Sequence, residues 1–334
     1  MKSITAASLL WLCCSVPLAS ASPLSRVDPA HYRHATKWKD FKNLFVFGDS
    51  YTATGFDPTL EQPNPSNPLG NPEYPGWTSA NGPNWVGFLT TTYNESYIQT
   101  YNLAYGGATV DSDLVKPYMD TVLSLKNQVE DQFIPIYSKK PDFAPWLAKD
   151  SLFAFFIGIN DVGNSWWLQN ATLYDEIFNV YTGLLEKIYQ SGGRNFLLLD
   201  VPPVDRSPMM IEQGPDDQRV EAEVLKDFNG RIKKMAKKLE RKFRDIKLHQ
   251  FSTHNLYTKA LDNVRAFPET AVYKNTTAYC DEYQNGTPSW YTLDPACGIP
   301  VNEYFWLNSL HPTFPVHNTT ARAIAKQLGG GRRC

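Results

Sequence analysis

The sequence LFVFGDSY, at residues 44–51, indicates a buried strand followed by a sharp break. The run before Gly48 is entirely apolar, and a short apolar run that ends at a glycine is typical of an interior strand of a parallel sheet. Open α/β sheets bind their ligands at the carboxyl ends of their strands. We therefore expect Ser50 to lie at that edge of the sheet, with its hydroxyl facing a crevice.

Apolar segments that indicate strands alternate along the chain with amphipathic segments that indicate helices. Strands are predicted at residues 44–47, 98–103, 152–157, 196–200 and 247–251, and helices at residues 85–93, 116–138, 173–190, 218–244 and 320–328. This alternation predicts an α/β fold, a three-layer sandwich in which helices flank a mostly parallel five-stranded sheet. Two loop-rich segments, 57–83 and 267–304, interrupt the alternation, and we expect them to form walls of a pocket.

Composition and charge exclude some classes of function. The chain has 334 residues, 42% of them hydrophobic, which is enough for a large core. Its net charge of -2 argues against a protein that binds nucleic acid through a basic face. The one basic stretch, residues 233–244, is interpreted as the solvated face of a helix. No grouping of His, Cys and carboxylates at metal-ligand spacing is apparent, so neither a metal nor an organic cofactor is expected.

The first residues of the chain have the pattern of a secretory signal. Lys2 is followed by a mostly apolar run over residues 4–18 and by the small residues Ala19-Ser20-Ala21. We therefore predict a signal peptide at residues 1–21, a single domain at residues 22–334 and a secreted protein. The apolar run is too short for a membrane anchor, and no later stretch of sequence reaches spanning length.

Cysteines and glycosylation sequons agree with an oxidising compartment. Removal of residues 1–21 would leave Cys280, Cys297 and Cys334, and we expect the first two to form a disulfide, with Cys334 left over. Five sequons suit a secreted glycoprotein, at Asn94, Asn170, Asn275, Asn285 and Asn318.

Three further residues have the chemistry that a serine nucleophile requires. Paired glycines ending at Gly107 follow the second predicted strand and allow a backbone N–H to approach a ligand, although an ordinary turn is the alternative. Asn160 follows the third strand, where its amide either stabilises an oxyanion or caps a helix. His311 is the usual type of base for a serine, and its alternative is a plain loop residue. The remaining histidines, His317 among them, are interpreted as structural or surface residues.

The order of these residues resembles the SGNH or GDSL-type hydrolase superfamily, with blocks at residues 48–50, 102–109, 158–161 and around 311. Residues 47–56 (FGDSYTATGF) and 81–86 (NGPNWV) look closer still to the fungal acetylesterases of carbohydrate esterase family 16. The resemblance implies a secreted enzyme that removes acetyl groups from xylan-derived oligosaccharides. The acyl-transfer mechanism that this resemblance implies has Ser50 as the nucleophile and His311 as the base. The oxyanion is held by the N–H groups of Ser50 and Gly107 and by the Asn160 side chain.

One position departs from the superfamily pattern. An Asp commonly stands three residues before the catalytic His, and this chain has Asn308 there. An Asp would fix the imidazole tautomer and stabilise the imidazolium, whereas an amide brings no charge. We therefore expect a Ser-His dyad oriented by Asn308 or by a backbone carbonyl. The alternatives are a carboxylate from elsewhere, such as Asp49 or Asp161, and reduced or lost activity.

Aromatic residues near these blocks are candidates for stacking on a sugar, namely Trp77, Tyr105, Trp166, Trp167 and Trp306. Trp85 is expected in the core instead. The expected substrate is an acetylated oligosaccharide or another small ester, with no nucleic-acid partner; the oligomeric state does not follow from the sequence. Two other functions stay open: a lipase- or phospholipase-type GDSL esterase, and a weakly active or inactive carbohydrate-binding relative.

Overall fold

The computed structural model describes residues 37–330, in which five parallel strands form one sheet of order β2-β1-β3-β4-β5. The strands are β1 (Asn43–Gly48), β2 (Gln99–Asn102), β3 (Ser151–Phe156), β4 (Asn195–Leu199) and β5 (Lys247–Phe251). All residues of β1, β3 and β4 are buried, because strands covered on both faces by helices do not reach solvent. The predicted α/β fold is confirmed. The predicted signal peptide lies outside the described residues.

Helices follow the strands and flank the sheet. They are α1 (Trp85–Thr91), α2 (Leu125–Asn127), α3 (Ile159–Gly163), α4 (Ala171–Gln190), α5 (Pro208–Gln213), α6 (Pro215–Lys242), α7 (Thr253–Asp262) and α8 (Phe314–Leu328). Helix α2 continues directly into a π-helical segment, Gln128–Tyr137. Helix α1 packs against α8, and α4 packs against α6. Side chains of Asn84 and Asn170 accept the first free N–H groups of α1 and α4.

Several helices differ from the prediction. The helix predicted over residues 116–138 begins only at Leu125, where the Ser124 hydroxyl accepts the Asn127 N–H. Residues 116–124 are irregular, with a turn at residues 120–121, and Pro117 disfavours a helical conformation at Lys116. Helix α8 begins earlier than predicted, at Phe314, and α3, α5 and α7 were not predicted.

Stacked aromatic rings hold neighbouring strands together. The Phe45 ring of β1 lies 4.8 Å from the Tyr101 ring of β2 and 5.2 Å from the Phe153 ring of β3, nearly parallel to both. Phe153 in turn lies 5.7 Å from Phe196 of β4. These parallel strands are in register, so side chains at matching positions stack across the sheet and contribute beyond the area that they bury.

A second, small apolar cluster lies in the loop-rich segment near the end of the chain. It consists of Tyr283, Val301, Tyr304 and Leu307. The predicted disulfide between Cys280 and Cys297 is present beside it, with Cα atoms 5.7 Å apart. The bridge and the cluster together give this segment a local core of its own.

The end of β1 is held by a buried glutamine. Gln128, which is fully buried, donates its Nε2–H to the Gly48 carbonyl at 2.8 Å and accepts the Gly48 N–H at 2.9 Å. A primary amide is the one side chain type that supplies a donor and an acceptor in this geometry. Gln128 therefore satisfies both backbone groups of the last residue of β1.

We expect Gln128→Leu to lower the free energy of unfolding by about 1–3 kcal/mol, because the Gly48 N–H is left buried without an acceptor. Denaturant titration measures this change. The matched control is Gln190→Leu at the exposed end of α4, where the effect should stay within about 0.5 kcal/mol. Equal effects of the two substitutions would contradict the role of Gln128.

Candidate active site

Ser50 lies just past the end of β1, in a tight turn. A Cβ atom on Gly48 would lie 2.3 Å from the Phe156 carbonyl oxygen, so only glycine lets β1 approach β3 this closely. The next residues turn sharply, since the Thr52 and Ala53 N–H groups both donate to the Asp49 carbonyl. Ser50 is 9% exposed, and its Oγ lies 2.8 Å from Nε2 of His311. The serine and histidine are thus in hydrogen-bond contact although they are far apart in the sequence.

Asn308 lies on the other side of the His311 ring. Its Oδ1 is 3.0 Å from His311 Nδ1 and also accepts the backbone N–H groups of His311 and Leu310, at 2.9 and 3.1 Å. Because Oδ1 is an acceptor only, the Nδ1 atom carries the proton and Nε2 is left as the acceptor for the Ser50 hydroxyl. This is the tautomer that a general base for serine needs.

Burial keeps the His311 ring neutral. It lowers the pKa of His311 to about 4, because a charged imidazolium is poorly solvated there. His317 of α8, interpreted from the sequence as structural or surface, is buried close by, and burial together with His311 lowers the pKa of His317 to about 3. Tyr51 lies beside both imidazole rings, and its hydroxyl donates to the Leu310 carbonyl at 2.6 Å.

Neither of the two nearby carboxyl groups takes the place of a catalytic Asp. The Asp49 carboxyl accepts the Tyr51 N–H at 3.1 Å, and the Asp161 carboxyl accepts the Val110 N–H at 3.0 Å. Burial raises the pKa of Asp49 to about 8 and that of Asp161 to about 7, and in both cases backbone N–H donors oppose the rise. These carboxyls join backbone segments together, and Asn308 is the side chain that orients His311.

The loop that follows β2 carries Gly107, and helix α3, which follows β3, carries Asn160. Gly107 has a φ of 82°, a backbone conformation that favours glycine, and a Cβ atom there would lie 2.3 Å from the ring of the exposed Tyr118. Asn160 donates its Nδ2–H to the Ala108 carbonyl at 2.9 Å, which fixes the amide beside the Gly107 loop. The second hydrogen of that NH₂ group stays available for another acceptor.

The predicted sugar-stacking residues fall into two groups. Trp77, Trp167 and Tyr105 are 77%, 54% and 39% exposed. Trp306, in contrast, is 2% exposed, and its indole N–H donates to the Thr276 carbonyl, so it presents no open ring face for the predicted stacking on a sugar. Trp166, at 8%, belongs to the hydrophobic core and offers no open ring face either. Trp85 is in the core as expected.

Two contacts at the site were missed from the sequence. Tyr118, an exposed residue, lies against Gly107, but the sequence placed it inside a helix that does not form there. The Gln284 backbone carbonyl accepts an Nδ2–H of Asn308 at 3.3 Å. Because every residue type has a backbone carbonyl, the sequence contains no signal for this acceptor.

Within residues 37–330, no three His, Cys, Asp or Glu side chains are grouped in a way that could hold a metal ion. Over the same range, none of the helices combines the length and the apolar character needed to cross a bilayer.

Comparisons with known proteins agree with this geometry. Residues 44–322 match the protein family described as GDSL-like Lipase/Acylhydrolase. A protein named acetylesterase from Thermothelomyces thermophilus is 38% identical over 293 residues, covering 86% of this chain and 89% of that protein. A GDSL esterase/lipase from Arabidopsis thaliana is 23% identical over 272 residues, covering 75% of this chain and 72% of that protein.

Among solved structures, Axe2, an acetylxylan esterase from Geobacillus stearothermophilus, is similar with a TM-score of 0.48 and 17% identity, covering 87% of this chain and 96% of that one. The family match includes all five strands, Ser50 and His311, and the Thermothelomyces relative exceeds 30% identity over most of both chains. The chain belongs to the GDSL-like lipase/acylhydrolase family of ester hydrolases.

Proposed function

We propose that this ester hydrolase is a secreted serine acetylesterase that removes acetyl groups from xylan-derived oligosaccharides. The observation that carries the proposal is the line of contacts from Ser50 Oγ through the His311 ring to Asn308 Oδ1, at 2.8 and 3.0 Å. A hydroxyl becomes nucleophilic only when a neighbouring base removes its proton, and this arrangement supplies the base. The acetyl preference is supported by the Thermothelomyces relative named acetylesterase.

The reaction proceeds through an acyl-enzyme. His311 takes the Ser50 proton at Nε2 while Oγ attacks the ester carbonyl, and the imidazolium then protonates the departing sugar hydroxyl. Water attacks the acetyl-serine in the same way, releasing acetate and restoring Ser50. The tetrahedral oxyanion is held by the N–H groups of Ser50 and Gly107 and by Nδ2 of Asn160, donors that are in place before the charge develops.

The sugar part of the substrate contacts exposed aromatic rings. Trp77 packs on Gly55, a few residues after Ser50, where a Cβ atom would lie 2.6 Å from its ring. Tyr105 follows β2 and donates its backbone N–H to the Gly48 carbonyl, so it begins at the edge of the sheet that carries Ser50. Trp167 follows helix α3, which carries Asn160. Aromatic rings give a large contact area to the apolar faces of sugars.

Secretion and glycosylation belong to the same proposal. Asn94, Asn170 and Asn285 are exposed, and Asn275 and Asn318 are half-buried. Asn318 lies within α8, where its Oδ1 accepts the Tyr93 hydroxyl at 2.6 Å. A glycan is attached through Nδ2, which this hydrogen bond does not involve, and we propose glycans on all five asparagines.

We expect Ser50→Ala to abolish hydrolysis of 4-nitrophenyl acetate without loss of the fold, because no other nucleophile can replace the Ser50 Oγ. Turnover and the far-UV circular dichroism spectrum are measured together. A folded variant with near-normal turnover would contradict the serine mechanism. A series of esters of increasing acyl length then distinguishes an acetylesterase, which prefers the acetate, from a lipase.

We expect Asn160→Ala to lower kcat about 10²-fold with a smaller effect on KM, because one oxyanion donor is lost. The matched control is Asn164→Ala in the same segment, whose Nδ2 donates to the Lys116 carbonyl on the surface. Steady-state kinetics of both variants decide the role. A change confined to KM would make Asn160 a substrate-binding or structural residue.

We expect activity to persist into mildly acidic solution. His311 must be neutral to accept the Ser50 proton, and its lowered pKa keeps it neutral until the pH approaches about 4. The dependence of kcat/KM on pH measures the pKa of the free enzyme. An acid limb at the ordinary histidine value of 6.5 would show that the ring is solvated in the working enzyme.

A further inference from the structure

We propose that the backbone carbonyl of Gln284 is a positioning group for His311 and that it makes an amide, rather than a carboxylate, the fitting side chain at position 308. This inference rests on the proposed serine mechanism. It assigns a role in catalysis to the disulfide-closed loop 280–297, whose Gln284 carbonyl is hydrogen-bonded to the side chain of Asn308, which in turn contacts His311.

The contacts of Asn308 use both ends of its amide. Oδ1 faces Nδ1 of His311 and takes two backbone N–H groups, while Nδ2 donates to the Gln284 carbonyl at 3.3 Å. A flipped amide would bring two donors together at His311 and two acceptors together at Gln284. The side chain therefore has one favoured orientation, and that orientation sets the tautomer of His311.

A carboxylate in the same place would face a second acceptor. Its outer oxygen would lie where Nδ2 now lies, about 3.3 Å from the Gln284 carbonyl oxygen, with no proton between them. The gain from pairing a carboxylate with the His311 imidazolium would thus be opposed by the loop. This accounts for an uncharged residue at position 308 in an otherwise complete site.

The small cluster holds both partners of this hydrogen bond. Tyr283 precedes Gln284 and Leu307 precedes Asn308, and the two side chains belong to the same buried group of four. The Tyr283 hydroxyl donates to the Ile299 carbonyl at 3.0 Å and accepts the Asp294 N–H at 2.7 Å. The Cys280–Cys297 disulfide closes the loop at its base. The position of the Gln284 carbonyl is therefore set by this cluster and this bridge.

A double-mutant cycle tests the proposal. The four proteins are the wild type, Cys280→Ala/Cys297→Ala, Asn308→Ala and the combination, each measured for kcat and KM on 4-nitrophenyl acetate. We expect loss of the disulfide to lower kcat about 10-fold with KM little changed. In the Asn308→Ala background the same loss should have no further effect, because the loop acts through Asn308. The proposal would be overturned if the reductions in kcat caused by Asn308→Ala and by loss of the disulfide multiplied in the combined variant. It would also be overturned if a folded disulfide variant kept the wild-type kcat.

Asn308→Asp gives a readout that a structural role would not change. With the disulfide intact, kcat should fall below that of the wild type at pH values where the carboxylate is charged. Without the disulfide the loop can move away from position 308. The kcat of Asn308→Asp, divided by the kcat of the protein with Asn308 in the same disulfide-free background, should therefore rise. The acid limb of the pH–rate profile of Asn308→Asp should shift to higher pH. A ratio that is the same with and without the disulfide would overturn the proposal.

A second substitution is decisive if the disulfide variant does not fold. Tyr283→Phe keeps the buried ring but removes both hydroxyl contacts, and we expect a drop in kcat of about threefold that disappears in the Asn308→Ala background. The control is Tyr291→Phe in the same loop, where the residue is 60% exposed and its hydroxyl makes no hydrogen bond within residues 37–330. Equal kcat for both Tyr→Phe variants would overturn the proposal.

Ser50→Ala separates the proposed serine mechanism from the proposed role of Gln284. If Ser50→Ala stays active, the serine mechanism fails. If it is inactive while the effects of the disulfide and Asn308 on kcat are independent, only the role of Gln284 fails.

Discussion

The close approach of β1 to β3 at Gly48 is the constraint on which the site depends. A side chain at Gly48 would push the two strands apart, because a Cβ atom would meet the Phe156 carbonyl. With glycine there, Gln128 satisfies the Gly48 backbone and the Tyr105 N–H donates to the same carbonyl. The segment that carries Ser50 and the loop that leads to Gly107 are consequently fixed to one point, and the rest of the site is arranged around it.

Burial disfavours charge in the resting site. It lowers the pKa of His311, whose orienting partner is an amide, and it raises the pKa values of the Asp49 and Asp161 carboxyl groups. In the proposed mechanism, formation of the imidazolium is less favoured than it would be beside a carboxylate, so transition-state stabilisation would depend more on the oxyanion donors. The lowered pKa of His311 disfavours protonation of the proposed base as the solution becomes acidic. The proposed chemistry thus uses fixed dipoles in place of an ion pair.

Sequence reasoning was most effective where the residue type itself carries the information. The alternation of strand-like and helix-like segments located all five strands to within about one residue, and the pairing of Cys280 with Cys297 followed from the expected compartment. The burial of individual tryptophans was harder to predict, because a tryptophan is equally suited to a hydrophobic core and to stacking on a sugar. Trp306 and Trp166 are core residues in the structure. The contact between Asn308 and Gln284 could not be predicted, since its acceptor is a main-chain oxygen whose position depends on a tertiary cluster.

The packing of α8 against α1 has a consequence for when the site can form. His311 directly precedes α8, and both come after all five strands in the chain. A domain generally folds as a unit, so the contact between Ser50 and His311 can form only once the segment that follows all five strands is available. A chain that ends before this segment would carry Ser50 without His311. The contact between the two residues is therefore a marker of the complete fold and not merely of the presence of Ser50.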